Sequence, residues 1–462
     1  MFFRNRLVFF SDENVIMSRP GDFYNFWPKS AITYSAEDPI DLSASSDLPA
    51  IIYDGIQVNS GLILFSENQQ FMLSTESEVL SPISAKINSL TTYNFNSKSN
   101  PFSLGATIGF LDNAGKYSRF FEMVNVLREG EPTVLEQSKI VSQYLPKEVD
   151  IIANSRENSA IFFAVKGQTK LYGYRYHTAA SKRILQSWFE WELSGAIEHL
   201  AMLDDALYAI VKNSTTHTIQ KFRFKHEFVP HLTYNVDAGS TDDPVNLHLD
   251  QAKLLTIANS GTNTTQVTYN ATTNKTSFTK PAEFITTSNL AVIGVDGALA
   301  SERDVGRFSL ATINGSNVEI DGDWTPTSNT SLHYIYLGYL YDMEVEFPTI
   351  YRQETSGSST RSDTSSSLVL HRVNLSFGGV GVYDTTLTRV GKLPYQETYE
   401  STPADAYKAD TAALLTEVIK TIPVYEKNTN LTLTLKSTHP SPATLYSMSW
   451  EGDYSPKYYR RV

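Results

Sequence analysis

The chain has no cysteine among its 462 residues, which excludes disulfide staples, thiolate metal sites and thiol nucleophiles. Long hydrophobic runs are missing as well. The stretch Ala160-Ile161-Phe162-Phe163-Ala164-Val165 is among the longest and stops at Lys166 and Gly167, far short of the ~20 apolar residues of a membrane-spanning helix. The opening residues Met1 to Arg6 carry charge but lack the apolar core of about 7 to 15 residues and the small-residue cleavage site of a secretory signal, so none is expected. Positive charge is scarce, with 38 Lys and Arg against 50 Asp and Glu and a formal net charge of -12. Tight phosphate binding needs clustered cations that release counterions. This balance therefore argues against a protein that grips nucleic acid and suits a surface that DNA slides past.

Recognisable catalytic and cofactor motifs are also absent. The nine histidines (His177, His199, His217, His226, His231, His248, His333, His371 and His439) show no H-x-H, H-E-x-x-H or H-x-x-E-H spacing, so no zinc site on one element is indicated. The chain has no G-x-S-x-G elbow, Walker A loop or G-x-G-x-x-G. The acidic pairs Asp204-Asp205 and Asp242-Asp243 read as solvated turns, because neighbours on a strand point to opposite faces and no D-x-D-x-D-G loop surrounds them. Asn235-Val236-Asp237-Ala238-Gly239-Ser240-Thr241 resembles the Asp-box turn of sialidase propellers, but it occurs once and has Asp242 where a Trp should pack. No catalytic, cofactor or metal residue is assigned, and no enzyme activity is expected.

What remains is strand material. Ser, Thr and Asn are frequent, 26 Tyr and 24 Phe are present, and such a mixture suits strands with a buried face and a neutral polar face. The expected class is all-β. From Leu62 to about residue 225 short apolar strands alternate with polar turns: Leu62 to Ser66 with Phe71 to Leu73, Ile161 to Val165 with Thr169 to Tyr174, and Ala206 to Val211 with Thr218 to Phe224. Repeated small meanders are the sequence pattern of β-propeller blades, and a sandwich could produce it too.

Composition divides the chain into three. Residues 1–228 read as propeller blades, 229–330 as an inserted β module with hairpin signals at Asp296-Gly297, Asn314-Gly315 and Asp321-Gly322, and 331–462 as a C-terminal β domain. Ser356 to Ser367 reads as a flexible Ser, Gly and Thr loop. Ala404 to Lys420 is the one helix expected, on an alanine stripe. The ending Tyr454 to Val462 combines cations with aromatics, a mixture that suits contact with nucleic acid, but it reads more readily as a tail clamped against a neighbouring subunit.

The opening carries the most specific pattern. Arg6-Leu7-Val8-Phe9, Val15 to Phe26 with Ser18-Arg19-Pro20-Gly21-Asp22-Phe23-Tyr24-Asn25-Phe26, and Asp38-Pro39-Ile40-Asp41 resemble the tail tubular protein B, or nozzle, family of short-tailed podoviruses. The likeness extends through Leu62 to Phe65, Gln70-Phe71, Gln186 to Trp191, Leu247 to Asp250 and Trp450-Glu451-Gly452.

That resemblance implies a homohexameric tube at the virion tail tip, docked on an adaptor or gatekeeper ring, bearing tail fibres, with DNA passing along its axis. It implies no cofactor. Family members usually carry a long stretch before this motif, so a missing N-terminal segment, or a separate chain, is expected to complete the fold. Channel and interface residues are not identified by the sequence. The rival reading is a propeller carbohydrate-binding protein or glycosidase acting on host surface glycans.

Overall fold

The computed structural model describes residues 1–456 apart from 47–48, 76, 78, 125, 127–130, 180–181, 225–232, 235–244, 259–263, 295–306, 327–332, 357–358 and 401–416. The described chain is all-β, with two short 3-10 turns and no α-helix among those residues. It separates into two compact units, Met1–His226 and Glu227–Val462.

The first unit is five antiparallel meanders in chain order. Sheet 1 contains Phe2–Phe3, Arg6–Ser11, Asn14–Met17 and Ile40–Ser43; sheet 2 contains Ile52–Val58, Gly61–Ser66, Gln70–Thr75 and Ala85–Thr91. Sheet 3 contains Phe102–Ser103, Ile108–Asp112, Arg119–Val124 and Thr133–Glu136. Sheet 4 is built from Ile151–Ser155, Ala160–Ala164, Lys170–Ala179 and Lys182–Glu192, and sheet 5 from three strands, Ala196–Leu203, Ala206–Asn213 and Thr216–Arg223. Two-residue turns close several hairpins, and their positive φ values at Arg4, Asn5, Asp204 and Ser214 match the right-handed twist of the strands they join. The hairpins expected from the sequence at Leu62, Ile161 and Ala206 all form.

Why these strands lack the usual polar alternation follows from the stacking. Successive side chains on a strand point to opposite faces. Leu62 and Leu64 enter a core shared with Val8, Val15 and Met17 of sheet 1, whereas Ile63 and Phe65 enter one shared with Phe110 and Phe121 of sheet 3. The same division recurs in sheet 4. Ile161 and Phe163 pack with Phe120 of sheet 3, while Phe162 and Ala164 pack with Leu207 and Val211 of sheet 5. Both faces are buried, so the sequence runs apolar throughout; each fully buried Leu or Phe contributes about 1.5–3 kcal/mol. Face-to-face stacking of consecutive meanders is how propeller blades pack. Among the described core clusters, none joins sheet 5 to sheet 1.

After the short pair Thr233–Tyr234 with Val245–Asn246, the second unit forms a closed seven-strand barrel. Around its wall the order is Asp250–Ala258, Thr265–Asn270, Lys275–Thr279, Asn317–Asp321, Phe308–Asn314, Leu290–Gly294 and His333–Tyr339. Closure depends on one short parallel pairing, Ile257 with Thr265 and Ala258 with Gln266. Leu255, Ile257, Phe278, Val292, Val318 and Leu337 fill the interior. Asn314-Gly315 makes the tight turn expected of it, with Gly315 at φ +60°.

Two further sheets form a sandwich. One holds Met343–Glu346, Leu431–Ser437, Val382–Arg389 and Tyr395–Glu400; the other holds Val418–Lys427, Ser367–Val380 and Ala443–Ser455. Leu370, Val373, Leu375, Leu387, Leu433 and Leu435 lie between them.

Two sequence expectations change here. Gln353–Ser356 and Ser359–Ser362 pair as a hairpin where a flexible loop was expected. The chain just after the hairpin is anchored from a distance: Asp363 N donates to Arg352 O at 2.9 Å, Tyr454 donates its hydroxyl to Asp363 at 2.7 Å, and Asp363 in turn accepts from Ser365 N at 3.0 Å and Ser366 N at 3.2 Å. The helix expected over Ala404 to Lys420 lies outside the described residues up to 416, and its last part, from Val418, is a strand.

Candidate functional site

The opening segment that marks the sequence is a braced loop rather than a reaction centre. Arg6 is buried, and its guanidinium donates from Nη1 to Ser18 O and Asp38 O at 2.8 Å and from Nη2 to Ala36 O at 2.9 Å and Leu80 O at 3.2 Å. A rigid fork of five N–H donors suits four converging carbonyls; a lysine would not span them. Burial lowers the Arg6 pKa, and the nearby Asp38 charge opposes that shift.

Asp38 completes the brace from the other side. Its Oδ1 accepts from Lys29 N at 2.9 Å and its Oδ2 from Ser35 N at 2.7 Å. Those N–H bonds hold the carboxyl below its ordinary range. The Asp-Pro turn of the sequence pattern is thus a hydrogen-bonded clasp. Held in it, the loop presents Tyr24, Trp27, Ile32 and Tyr34 to solvent, with Trp27 79% exposed. Phe23 sits edge-on to Phe2 at 5.0 Å, and Phe26 lies 5.6 Å from Phe9.

A second bracket joins sheets 3 and 4. Glu122 is buried and receives Arg183 Nη2 at 2.9 Å, Thr107 Oγ1 at 2.7 Å and Gln137 Nε2 at 2.7 Å. Arg183 also lies over the Tyr176 ring at 4.6 Å. Burial alone would lower the Arg183 pKa, but its bonds to Glu122 outweigh that and raise it. The group is saturated with partners and leaves no free base or acid for catalysis.

Within the second unit, the loop after Leu431–Ser437 meets the barrel. His248 N donates to Pro440 O at 2.8 Å, and the His439 ring lies 4.8 Å from Phe308. Ser441 N donates to His439 Nδ1 at 3.1 Å, which requires that nitrogen unprotonated. Desolvation lowers the His439 pKa to about 4. Nearby, Asp250 stands beside Gln251, whose φ is +52°, and desolvation pushes its carboxyl up to about 6. Tyr341, which feels the Asp250 charge, is pushed up to about 12, mainly by desolvation.

The remaining sequence candidates stay apart. Asp204 occupies an exposed positive-φ turn with Asp205 beside it. His177, His199 and His217 are exposed on separate strands. Among the described residues no three His, Asp or Glu side chains converge as a metal site, and no helix is long and apolar enough to cross a membrane. The Asp-box-like segment 235–241, the pair Asp242-Asp243 and the tail from residue 457 fall outside the described residues. Sequence reasoning missed Arg6 as a hub: a charged residue in a strand gives no local sign that it is buried.

The sequence profile of the bacteriophage nozzle protein family matches residues 1–461. The chain belongs to the bacteriophage nozzle protein family. Its curated relative, tail tubular protein gp12 of Escherichia phage T7, is 23% identical over 466 residues, a match that takes in 98% of this chain and 55% of the relative. The chain therefore spans about half the length of the curated relative it matches. As a member of the nozzle family it is a virion tail component.

Solved structures add little to this. The N-terminal domain of Nup159 aligns at a TM-score of 0.28 and 10% identity over 69% of this chain and 86% of its own. A luciferin-regenerating enzyme aligns at 0.26 and 8% over 72% and 90%, and an exo-β-1,3-galactanase from Phanerochaete chrysosporium at 0.23 and 9% over 98% and 96%. Superpositions this loose carry neither fold detail nor chemistry to the nozzle chain.

Proposed function

We propose that this chain is a non-catalytic building block of a homohexameric nozzle that retains genomic DNA and then lets it pass. The observation that carries the reading is the nozzle-family match over residues 1–461. Its physical support is electrostatic: a net charge of -12 gives a polyanion no general surface to adhere to, and a neutral-to-acidic lumen repels phosphate. The partners in this reading are further copies of the chain, an adaptor or gatekeeper ring, tail fibres, and polypeptide equivalent to the remaining length of the T7 relative.

Within it, residues 1–228 supply propeller blades, 229–330 the distal tip and 331–462 the dock, with the strand His333–Tyr339 completing the barrel of the tip. The hairpin Thr265–Asn270 with Lys275–Thr279 bears uncharged Thr and Asn side chains at its turn, and such a turn constricts a DNA path without binding it. Replacing the turn residues 271–274 with a Gly-Ser turn, which leaves the two barrel strands in place, tests the placement: genome retention or release changes while particles still assemble. Loss of the hexamer in that variant contradicts it. Specific saccharide hydrolysis by the purified chain would favour the glycosidase reading instead.

A further inference from the structure

Four of the five sheets of the first unit have four strands, and sheet 5 has three. Its last strand, Thr216–Arg223, pairs with Ala206–Asn213 over eight residues in unbroken register, and among the described residues nothing pairs with its other edge. That edge is unguarded. Sheets 1 and 3 end in strands of four residues, and the ladders that end sheets 2 and 4 carry a bulge, whereas Thr216–Arg223 has neither bulge nor proline to discourage pairing.

Burial shows what is missing beside it. The third strands of sheets 2 and 3, Gln70–Thr75 and Arg119–Val124, are buried on both faces along their middle. Sheet 1 stands at the other end of the stack, yet its third strand, Asn14–Met17, fully buries Val15 and Met17, with Ile40–Ser43 alongside. In Thr216–Arg223 no residue is buried: His217, Ile219, Lys221 and Arg223 are exposed, and the inward Thr218, Gln220 and Phe222 are half-buried. Leu185 of sheet 4, on the face of its strand that carries Phe189 and Trp191 toward sheet 5, is 52% exposed. An end position in the stack does not by itself uncover a third strand; the lack of a fourth does.

From the unpaired edge and the half-covered inward side we infer that an extended segment of another polypeptide adds to Thr216–Arg223 as the antiparallel fourth strand of sheet 5. The segment belongs to the polypeptide equivalent to the rest of the T7 relative, nearly half of which has no counterpart in this chain. This rests on the nozzle reading and names the edge at which that polypeptide joins. Main-chain hydrogen bonds supply the pairing and alternate side chains the selectivity. Apolar side chains of the added strand lie beside Phe222 and Leu185. Its outward side chains meet His217, Ile219, Lys221 and Arg223, a strand without a carboxylate, so an acidic residue suits the position opposite Lys221 or Arg223.

Two measurements on assembled tails test this. Hydrogen exchange over residues 216–223 should be about tenfold slower, or more, in unmodified tails than in the isolated chain; unchanged exchange contradicts strand addition, and no variant is needed to read it. The cysteine-free chain then allows His217→Cys, Ile219→Cys and Lys221→Cys, all at exposed positions, to be labelled with benzophenone maleimide, assembled into tails and irradiated. Mass spectrometry should find all three attached to one segment of the polypeptide that carries the rest of the family's length, at sites that step backwards along it as the cysteine moves forwards. Attachment within residues 1–462, to an adaptor or fibre protein, to scattered segments, or in the same order as the cysteines overturns the inference while the tube reading stands. Tails without a six-fold tube contradict that reading separately, and the attached peptide still decides the strand addition.

Discussion

Arg183 Nη2 donates to Glu122 Oε1 at 2.9 Å across the boundary between sheets 4 and 3, at a site where the glutamate side chain is only 3% exposed. Removing one partner strands a buried charge, which costs roughly 3–5 kcal/mol, whereas replacing both with apolar groups of similar size is often close to neutral. Arg183→Met should therefore destabilise the first unit by about that amount. Adding Glu122→Leu should recover most of the loss. Denaturant unfolding of the full chain, followed by its intrinsic tryptophan fluorescence, to which Trp188 at this boundary contributes, checks both; equal destabilisation in the double variant would contradict the bracket.

Arg6→Lys keeps the charge but cannot reach four carbonyls. Leaving buried acceptors unsatisfied costs about 1–3 kcal/mol each, so a loss of at least ~3 kcal/mol is expected, together with release of the loop that carries Trp27. Hydrogen exchange across residues 18–39 should speed up in this variant. Unchanged protection there would show that the clasp does not depend on Arg6.

Gly173 has the Phe189 ring where a Cβ would stand, with Cζ only 2.1 Å from that position. Gly173→Ala must displace the ring from its packing beside Phe162 and Trp191. Overpacking of this kind costs about 1–3 kcal/mol. The midpoint of chemical unfolding should drop with little change in slope, and a neutral result would mean the ring yields freely.

His439 and Asp250 act on stability with opposite signs. The His439 folded pKa, about 4, lies below its ordinary 6.5, so the unfolded chain takes up the proton first and stability falls as pH drops from about 6.5 to 4. Asp250 is raised from 3.8 to about 6, so the unfolded chain loses the proton first and stability falls as pH rises from about 4 to 6. Asp250 keeps a solvent-exposed edge, and screening reduces its share. Between pH 4 and 6 the two oppose each other. Asp250→Asn should expose the His439 slope, with stability falling on acidification; His439→Asn should leave the reverse slope. Thermal unfolding across that range distinguishes them, and parallel profiles in both variants would contradict the assignment.

How much of this was legible in the sequence depends on range. The apolar runs at Leu62 to Phe65 and Ile161 to Ala164 announced strands because burial on both faces is written into consecutive residues. The turns at Ser214 and Gly315 were readable because positive φ selects few residue types. The barrel was not. Its closure needs only the pairing of Ile257 and Ala258 with Thr265 and Gln266, which leaves no periodic trace. Ser356 to Ser367 read as a flexible loop because a bond that anchors it, to Asp363, comes from Tyr454, some ninety residues downstream. Likewise Arg6 gains its role from carbonyls as distant as Leu80, so the motif was visible while its function as a clasp was not.

Electron cryomicroscopy of the tail, or of the purified chain with the polypeptide that makes up the rest of the family's length, tests the central claim most directly. The account predicts a six-fold tube whose axial channel admits duplex DNA, with the chain's five stacked sheets and barrel traceable in each of six copies. Particles without six-fold symmetry, or with this chain outside the wall of the channel, would contradict it.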